Sequence, residues 1–383
     1  MKPATRGSAA LALALAFVGP SGAAAQASQG TTFGGSVLEQ AYGSYSGSGG
    51  FSSGDFGYGS STTLELDLDA KGPRARASAS LEAAVLDGAS AQSTWLLIEE
   101  GQVPADELFV PAARPDSGSD LLMAARVRTL YVKLDADRAS LTAGRQVINY
   151  ERGALWSPTD IFTTLDLTGL SPIRLGSDAL RLAFPFGETG ALDLVAAPGA
   201  KPARGLYSAR LSGFPLGVDG ALFAARDGAS RIGYMGADFK ADLELGFYGD
   251  LSYALPDSGA AESAAGSAAG SAGRLRAAVG ADWSTGDFIF AAEYYYNGVG
   301  SAADPLFPGA HNVYGDLTWR ASELLSVSAS VIEDCSDRSG TGLLQASISA
   351  AQNATLSLYC KATWAEGYAL PAGQAGATIA VSF

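Results

Sequence analysis

The chain has 383 residues, 48 of them Gly and 15 Tyr, with 47% hydrophobic residues and a formal net charge of -14. That negative balance argues against nucleic acid as a partner and against docking on anionic lipid. After the amino-terminal segment no stretch approaches the roughly 18 uninterrupted apolar residues of a spanning helix, which excludes a helical membrane protein.

Residues 1–25 read as a signal peptide. Lys2 and Arg6 give the basic start, Ala9 to Val18 the apolar stretch, Gly19-Pro20 a break and Ala23-Ala24-Ala25 a small-residue cleavage site, with the cut expected after Ala25 or Ala27. No Cys follows, so no lipoprotein anchor is expected. Removing Lys2 and Arg6 takes the formal charge from -14 to -16. Residues 26–383 then form one domain, because alternating segments run through their whole length and leave no room for a second core.

Those segments have period two. Leu64, Leu66 and Leu68 alternate with Glu65, Asp67 and Asp69. Leu180, Leu182, Phe184 and Phe186 alternate with Arg181 and Ala183. Leu243 to Tyr253 alternates with Asp242, Glu244 and Asp250, and Leu275 to Ala281 alternates with Arg274, Arg276 and Asp282. Tight turns are expected at Lys71-Gly72-Pro73, Asp135-Ala136-Asp137, Gly187-Glu188-Thr189-Gly190, Ser212-Gly213-Phe214-Pro215, Lys240-Ala241, Ser284-Thr285-Gly286, Ala321-Ser322 and Ala351-Gln352-Asn353. Between them fall longer connections at 41–60, 87–124, 149–177, 254–273 and 298–311. Two of these, Gly43 to Ser61 and Ser258 to Gly273, are rich in Gly, Ser or Ala and read as solvated loops. The chain ends in Thr378-Ile379-Ala380-Val381-Ser382-Phe383, with Ala377, Ile379, Val381 and Phe383 on one face.

Short turns alternating with long loops, an export leader and an aromatic carboxy terminus point to an all-β transmembrane antiparallel barrel of the bacterial outer membrane. The count is about eighteen strands, with sixteen as the alternative, since single-chain bacterial barrels use even numbers. The apolar faces would meet outer-membrane lipid and the charged faces a water-filled lumen. Inward candidates are Glu65, Asp67, Arg210, Asp242, Glu244, Arg274, Arg276, Asp282, Glu293 and Asp316. No strand is conspicuously polar on its lipid face, and both trimer and monomer stay open.

The segment from Leu141 to Phe162 carries Gly144-Arg145-Gln146 and Trp156-Ser157-Pro158-Thr159-Asp160, and Arg174-Leu175-Gly176-Ser177-Asp178-Ala179-Leu180-Arg181 follows. This resembles a family of porin-like outer-membrane proteins with a Gly-Arg-Gln strand end, a Trp-x-Pro-x-Asp loop and an Arg-x-Gly-x-Asp-Ala-Leu-Arg strand start. It is distantly similar to alginate-export-type porins. The likeness covers roughly residues 125–186 and departs at Asn149-Tyr150-Glu151-Arg152, where the family often has a Trp-Gly pair. The terminal Phe383 resembles the signal read by the barrel-assembly machinery. A loop dense in Arg145, Glu151, Arg152, Asp160, Arg174, Asp178 and Arg181, with Trp156 as an anchor, can fold inward where charges find partners or water, and would then constrict the pore. The bland reading of Arg145, Asp178 and Arg181 is structural ion pairing between strand and loop.

The function expected is a channel for small hydrophilic solutes; the alternative is a surface interaction protein with a closed barrel, presenting Phe51, Phe56 and Tyr58. An enzyme is not expected. The one His, His311, has neither a second His at metal spacing nor a serine elbow, and no metal or other cofactor is implied. Cys335 and Cys360 are expected to point apart, unbridged.

Overall fold

A computed structural model describes residues 30–46, 56–99, 112–113, 120–162, 165–166, 173–174, 176–199, 202–214, 217–257, 275–298, 309–365 and 372–383. The leader and Arg274 lie outside them. Eighteen long strands form the wall: β1 (Gly30–Tyr45), β2 (Phe56–Lys71), β3 (Ala75–Gly88), β4 (Leu121–Ala136), β5 (Ala139–Gln146), β6 (Ser177–Phe186), β7 (Gly190–Ala197), β8 (Leu206–Gly213) and β9 (Asp219–Asp227), then β10 (Ile232–Asp242), β11 (Gly246–Pro256), β12 (Leu275–Thr285), β13 (Phe288–Asn297), β14 (His311–Arg320), β15 (Leu325–Asp334), β16 (Ser339–Ala351), β17 (Ala354–Trp364) and β18 (Ala372–Ser382). Each pairs antiparallel with the next, and β18 pairs back onto β1 from Ser36↔Ser382 to Tyr45↔Gly373. The sheet therefore closes as an 18-stranded barrel, with no free edge along the β1–β18 seam. Phe383 and Gly35 exchange backbone hydrogen bonds at 3.0 and 2.9 Å and finish that seam.

Alternation fixes which way each side chain points. Leu180, Leu222, Met235, Leu251, Val279 and Leu344 are exposed and lie on the outer wall, while Arg210, Asp238, Asp250, Glu293 and Tyr359 are buried on the inner one. Aromatic rings band the outside at both ends. Phe288 stacks on Trp319 with centroids 6.2 Å apart near the short turns, and Tyr45 lies 5.4 Å from Phe56 near the long loops. Such girdles suit the two interfaces of a bilayer.

Every described connection at one end is short, whereas the other end carries the long loops together with two four-residue turns, 228–231 and 335–338. Thr285 and Phe288 pair across Gly286-Asp287, where Gly286 takes φ 54°, a left-handed conformation that glycine adopts without steric cost. One expected turn is displaced. Lys240 and Ala241 belong to β10, which runs to Asp242, and the reversal falls at Leu243-Glu244-Leu245. Leu243 and Glu244 are exposed there, so Glu244 does not line the lumen. The apolar alternation of Leu243 and Leu245 with Phe247 hid a turn that lacks Gly and Pro. The loop read at 41–60 is also shorter, because β1 continues to Tyr45 and β2 starts at Phe56; Phe56 and Tyr58 are outward wall residues, and Phe51 lies outside the described residues. A helix, α1 (Ala89–Glu99), follows β3; Ser90 Oγ donates to Tyr42 Oη at 3.0 Å.

Cys335 sits in the turn after β15, and Cys360 faces outward in line with exposed Leu358. In the folded protein within liposomes a hydrophilic maleimide is expected to add once per chain, at Cys335, and at both thiols after denaturation; mass spectrometry of the adducts reads the difference. Equal labelling of Cys360 while folded would contradict the assigned register.

Candidate functional site

Residues 147–162 of the loop between β5 and β6 run inside the barrel, and the inner wall dictates their path. Gly144 takes φ 116° near the end of β5, and the alternation of Leu141 and Ala143 continues through it without a shift. Arg145 then falls in register with Leu130 and Asp178, in line with exposed Leu180. Its guanidinium donates to Asp178 at 2.8 and 3.1 Å and to the Val127 carbonyl at 3.1 Å, and Arg145 is 5% exposed. This pair closes the wall where the loop departs, as the bland reading had it. It does not stand in the passage, because the strand register turns both side chains away from it. Gln146 faces inward and donates to the Ala179 carbonyl at 3.0 Å.

Beyond Gln146 the loop first packs on apolar wall. Ile148, Tyr150 and Phe162 form a buried cluster with Ala179 and Val195. The Arg210 guanidinium lies 5.0 Å over the Tyr150 ring, and burial pushes that phenol up to about 12, which keeps it neutral beside the cation.

Four carboxylates from four strands then hold the loop. Arg152 donates to Asp219 at 2.6 and 2.8 Å and to Asp238 at 3.0 Å. Arg210 reaches both oxygens of the same Asp238 at 2.7 Å. The Asp238 side chain is 0% exposed, so two arginines share one buried carboxylate. Glu293 accepts the backbone N–H groups of Ala154 at 2.7 Å, Leu155 at 3.2 Å and Trp156 at 2.7 Å, and the Tyr248 hydroxyl at 3.1 Å. Successive N–H groups turned to one point make an anion cradle, and here the anion belongs to the wall. Asp250 accepts from Ser157 Oγ at 2.6 Å and from Thr159 N and Oγ1 at 3.0 and 2.9 Å. Trp156 is buried, stacked on Tyr295 with centroids 5.3 Å apart and edge-on to Tyr314. Arg276 donates to the Pro158 carbonyl at 3.3 Å.

These contacts place the sequence candidates. Arg152, Trp156, Glu293, Arg210 and Arg276 are gathered by the loop. Arg181 is an inward wall residue bidentate to Asp193 at 3.0 and 2.5 Å. Glu65 pairs with Arg128 on the wall formed by β2–β4, Asp67 lies on the same inward row, Asp282 lies 3.9 Å from Lys240, and Asp316 accepts from Thr318 at 3.2 Å. Asp242 is exposed at the short-turn end of β10. Glu151 and Asp160 are half-buried in the loop, and Arg174 belongs to a two-residue ladder, Leu165–Asp166 with Ile173–Arg174. Asp219 and Asp238 were missed. Both fall on the inward parity of β9 and β10, so alternation alone could have found them once the turn after β10 was set correctly.

The described residues of the loop cover only part of the circumference. Described contacts of residues 150–159 fall on β6–β15, whereas Gln40, Ser347, Ser357, Tyr359, Gln374 and the pairs Arg76–Asp69 and Arg126–Glu82 face inward from β16–β18 and β1–β4. Among the described residues no group of three or more His, Cys, Asp or Glu is placed to hold a metal.

No family model matches the chain, and no curated protein does either. Solved structures do. OccAB4 of Acinetobacter baumannii superposes with a TM-score of 0.58 at 9% identity, covering 92% of this chain and 98% of its own. A BenF-like porin from Pseudomonas fluorescens Pf-5 gives 0.58 at 8% identity over the same shares. The fold is that of an outer-membrane porin. OpdK of Pseudomonas aeruginosa, solved with vanillate, gives 0.55 at 10% identity, again covering 92% and 98%.

Removing the Glu293 carboxylate strands three loop N–H groups. Glu293→Ala is expected to expose the bond after Arg152 to trypsin in the folded barrel, where the native chain resists; peptide mapping checks this. Asp238→Ala leaves Arg152 and Arg210 facing each other and is expected to cost about 3–5 kcal/mol, the usual penalty for breaking a buried ion pair, read from denaturant unfolding in detergent.

Proposed function

We propose that the chain is an outer-membrane channel through which small hydrophilic solutes pass down their gradient, with the 147–162 loop as its constriction. The observation that carries this is the one-sided seating of the loop. Its described residues 150–159 narrow an 18-stranded lumen from the β6–β15 side, and the described contacts of those residues leave the polar inner faces of β16–β18 and β1–β4 uncovered. Barrels of this size leave an aqueous channel, and a polar path beside a charged constriction selects solutes by width and field. On this reading residues 1–25 direct export, the short turns face the periplasm, the outward leucines meet lipid, and Phe383 serves recognition by the barrel-assembly machinery. Arg152, Trp156, Glu151 and Asp160 form the constricting side. Glu65, Asp67, Arg276, Asp282, Glu293 and Asp316 contribute to the lumen field. The further likeness to alginate-export-type porins rests on the loop motif alone and assigns no solute. OpdK was solved with vanillate, so a small aromatic carboxylate is a reasonable first solute to try. Transport, not catalysis, is the activity assigned.

In planar bilayers the refolded protein is expected to conduct steadily. Arg152→Ala, which unfastens the loop from Asp219 and Asp238, should raise single-channel conductance, and Ser357→Trp on the open side should lower it. A folded barrel silent at every voltage would sink this reading.

A further inference from the structure

Among the described residues the outer wall carries, besides the Arg145–Asp178 pair, one carboxylate at mid-depth. Glu39 on β1 pairs in register with Thr62 on one side and with exposed Ile379 on the other, which sets it outward. Thr62 donates its hydroxyl to the Glu39 carboxylate. Glu39 stands midway along β1 between Phe33, exposed near the short turns, and Tyr45, in the aromatic band near the long loops. Among the described residues the other outward charges lie near strand ends, at Asp87, Arg226 and Glu333, or in the Arg145–Asp178 pair that seals the wall. No strand was expected to be polar on its lipid face; the alternation of β1, interrupted by glycines, concealed this one.

A carboxyl at mid-depth needs donors. One hydroxyl leaves most of its acceptor capacity open, and acyl chains supply no hydrogen bond. The wall around it is also shaped for something other than a smooth lipid boundary. Beside Thr62, Leu64 and Leu66 stand as a ridge over Ala83 and Ala125 in a groove of about 330 Å³. A second groove of about 280 Å³ lies below it, with Leu68 and Leu130 flanking Ala77 and Ala79. Alanine floors allow close approach of another protein wall, the way small residues act between membrane-spanning segments. Leucine ridges of the same spacing would fill them.

We propose that the outward face of β1–β4 is where a second copy of the chain packs, with Glu39 and Thr62 at the centre of the contact. The same face of the partner presents a second donor for the carboxyl, the Ser60 hydroxyl, where the chain's own Thr62 already donates to Glu39, and Leu ridges for the alanine grooves. A two-fold arrangement satisfies both sides at once. An acyl chain could occupy the grooves but would leave the carboxyl as it is. The proposal rests on the membrane-spanning reading above and is independent of conduction.

The test uses full-length protein in liposomes, in a Cys335→Ser, Cys360→Ser background. Ala83→Cys puts one thiol in the proposed contact, and Val279→Cys puts one on β12, half-way round the barrel and equally outward. A membrane-permeant bis-maleimide is expected to trap Ala83→Cys as a dimer about tenfold more than Val279→Cys. Adding Glu39→Leu to Ala83→Cys should reduce trapping about tenfold, and Glu39→Gln, which still forms hydrogen bonds, should retain it. Folding is checked by β-sheet circular dichroism and conductance by planar bilayer. Equal trapping at both positions, no trapping from a folded Ala83→Cys chain, or full trapping with Glu39→Leu would each overturn the proposal. A folded chain that dimerises through Ala83 but does not conduct would support it and remove the channel reading instead.

Discussion

The barrel interior turns on a repulsion that the loop relieves. Asp238 and Asp250 are direct cross-strand partners on β10 and β11, both buried, and like charges so placed destabilise a sheet. Each is answered by a different chemistry. Asp238 takes two guanidinium groups, one from the wall and one from the loop, whereas Asp250 takes two hydroxyls and an N–H, all from the loop. The loop is thus a structural counterpart of the wall, and the acidic inner surface of β9–β13 makes sense only with it in place. Apolar contacts at Tyr150 and Trp156 fix where it lies; the carboxylates fix how firmly.

The same arrangement explains which parts of the molecule were legible in the sequence. Period two along 64–69, 180–186 and 275–282 reports the local pleat, and the pleat assigns faces without knowledge of the partner strand. Closure and strand number followed from the rhythm of turns and loops. The turn at Leu243-Glu244-Leu245 escaped because its apolar residues continued the alternation with no glycine or proline to mark a break. Arg145 was legible in part, since its ion pairing was foreseen and its outward facing was not. Unbroken alternation from Leu141 and Ala143 sets it outward with Leu130 and Asp178, but a charge in a strand reads as a lumen residue until its partner across the sheet is known. The clamp on the loop was least legible of all. Glu293 is 137 residues from Trp156 in the chain, and nothing local in either segment names the other.

Sequence identity of 8–10% to porins that superpose over nearly their whole length is what this physics permits. An outward position asks only for an apolar side chain and an inward one only for a polar side chain, so many sequences satisfy one wall. The constraints that are specific here are few: the acids that meet the loop, the Arg–acid pairs on β2–β4, and the seam where Phe383 meets Gly35.

That loop also orders events during assembly. Its fastening needs four strands at once, because Asp219, Asp238, Asp250 and Glu293 each stand on a different one. Whatever the order in which strands join the wall, the segment stays unfastened, with its N–H groups solvated, until β9, β10, β11 and β13 are all in place. A partly built barrel therefore has an unlatched interior, and latching becomes a late checkpoint that separates a nearly complete wall from a finished one.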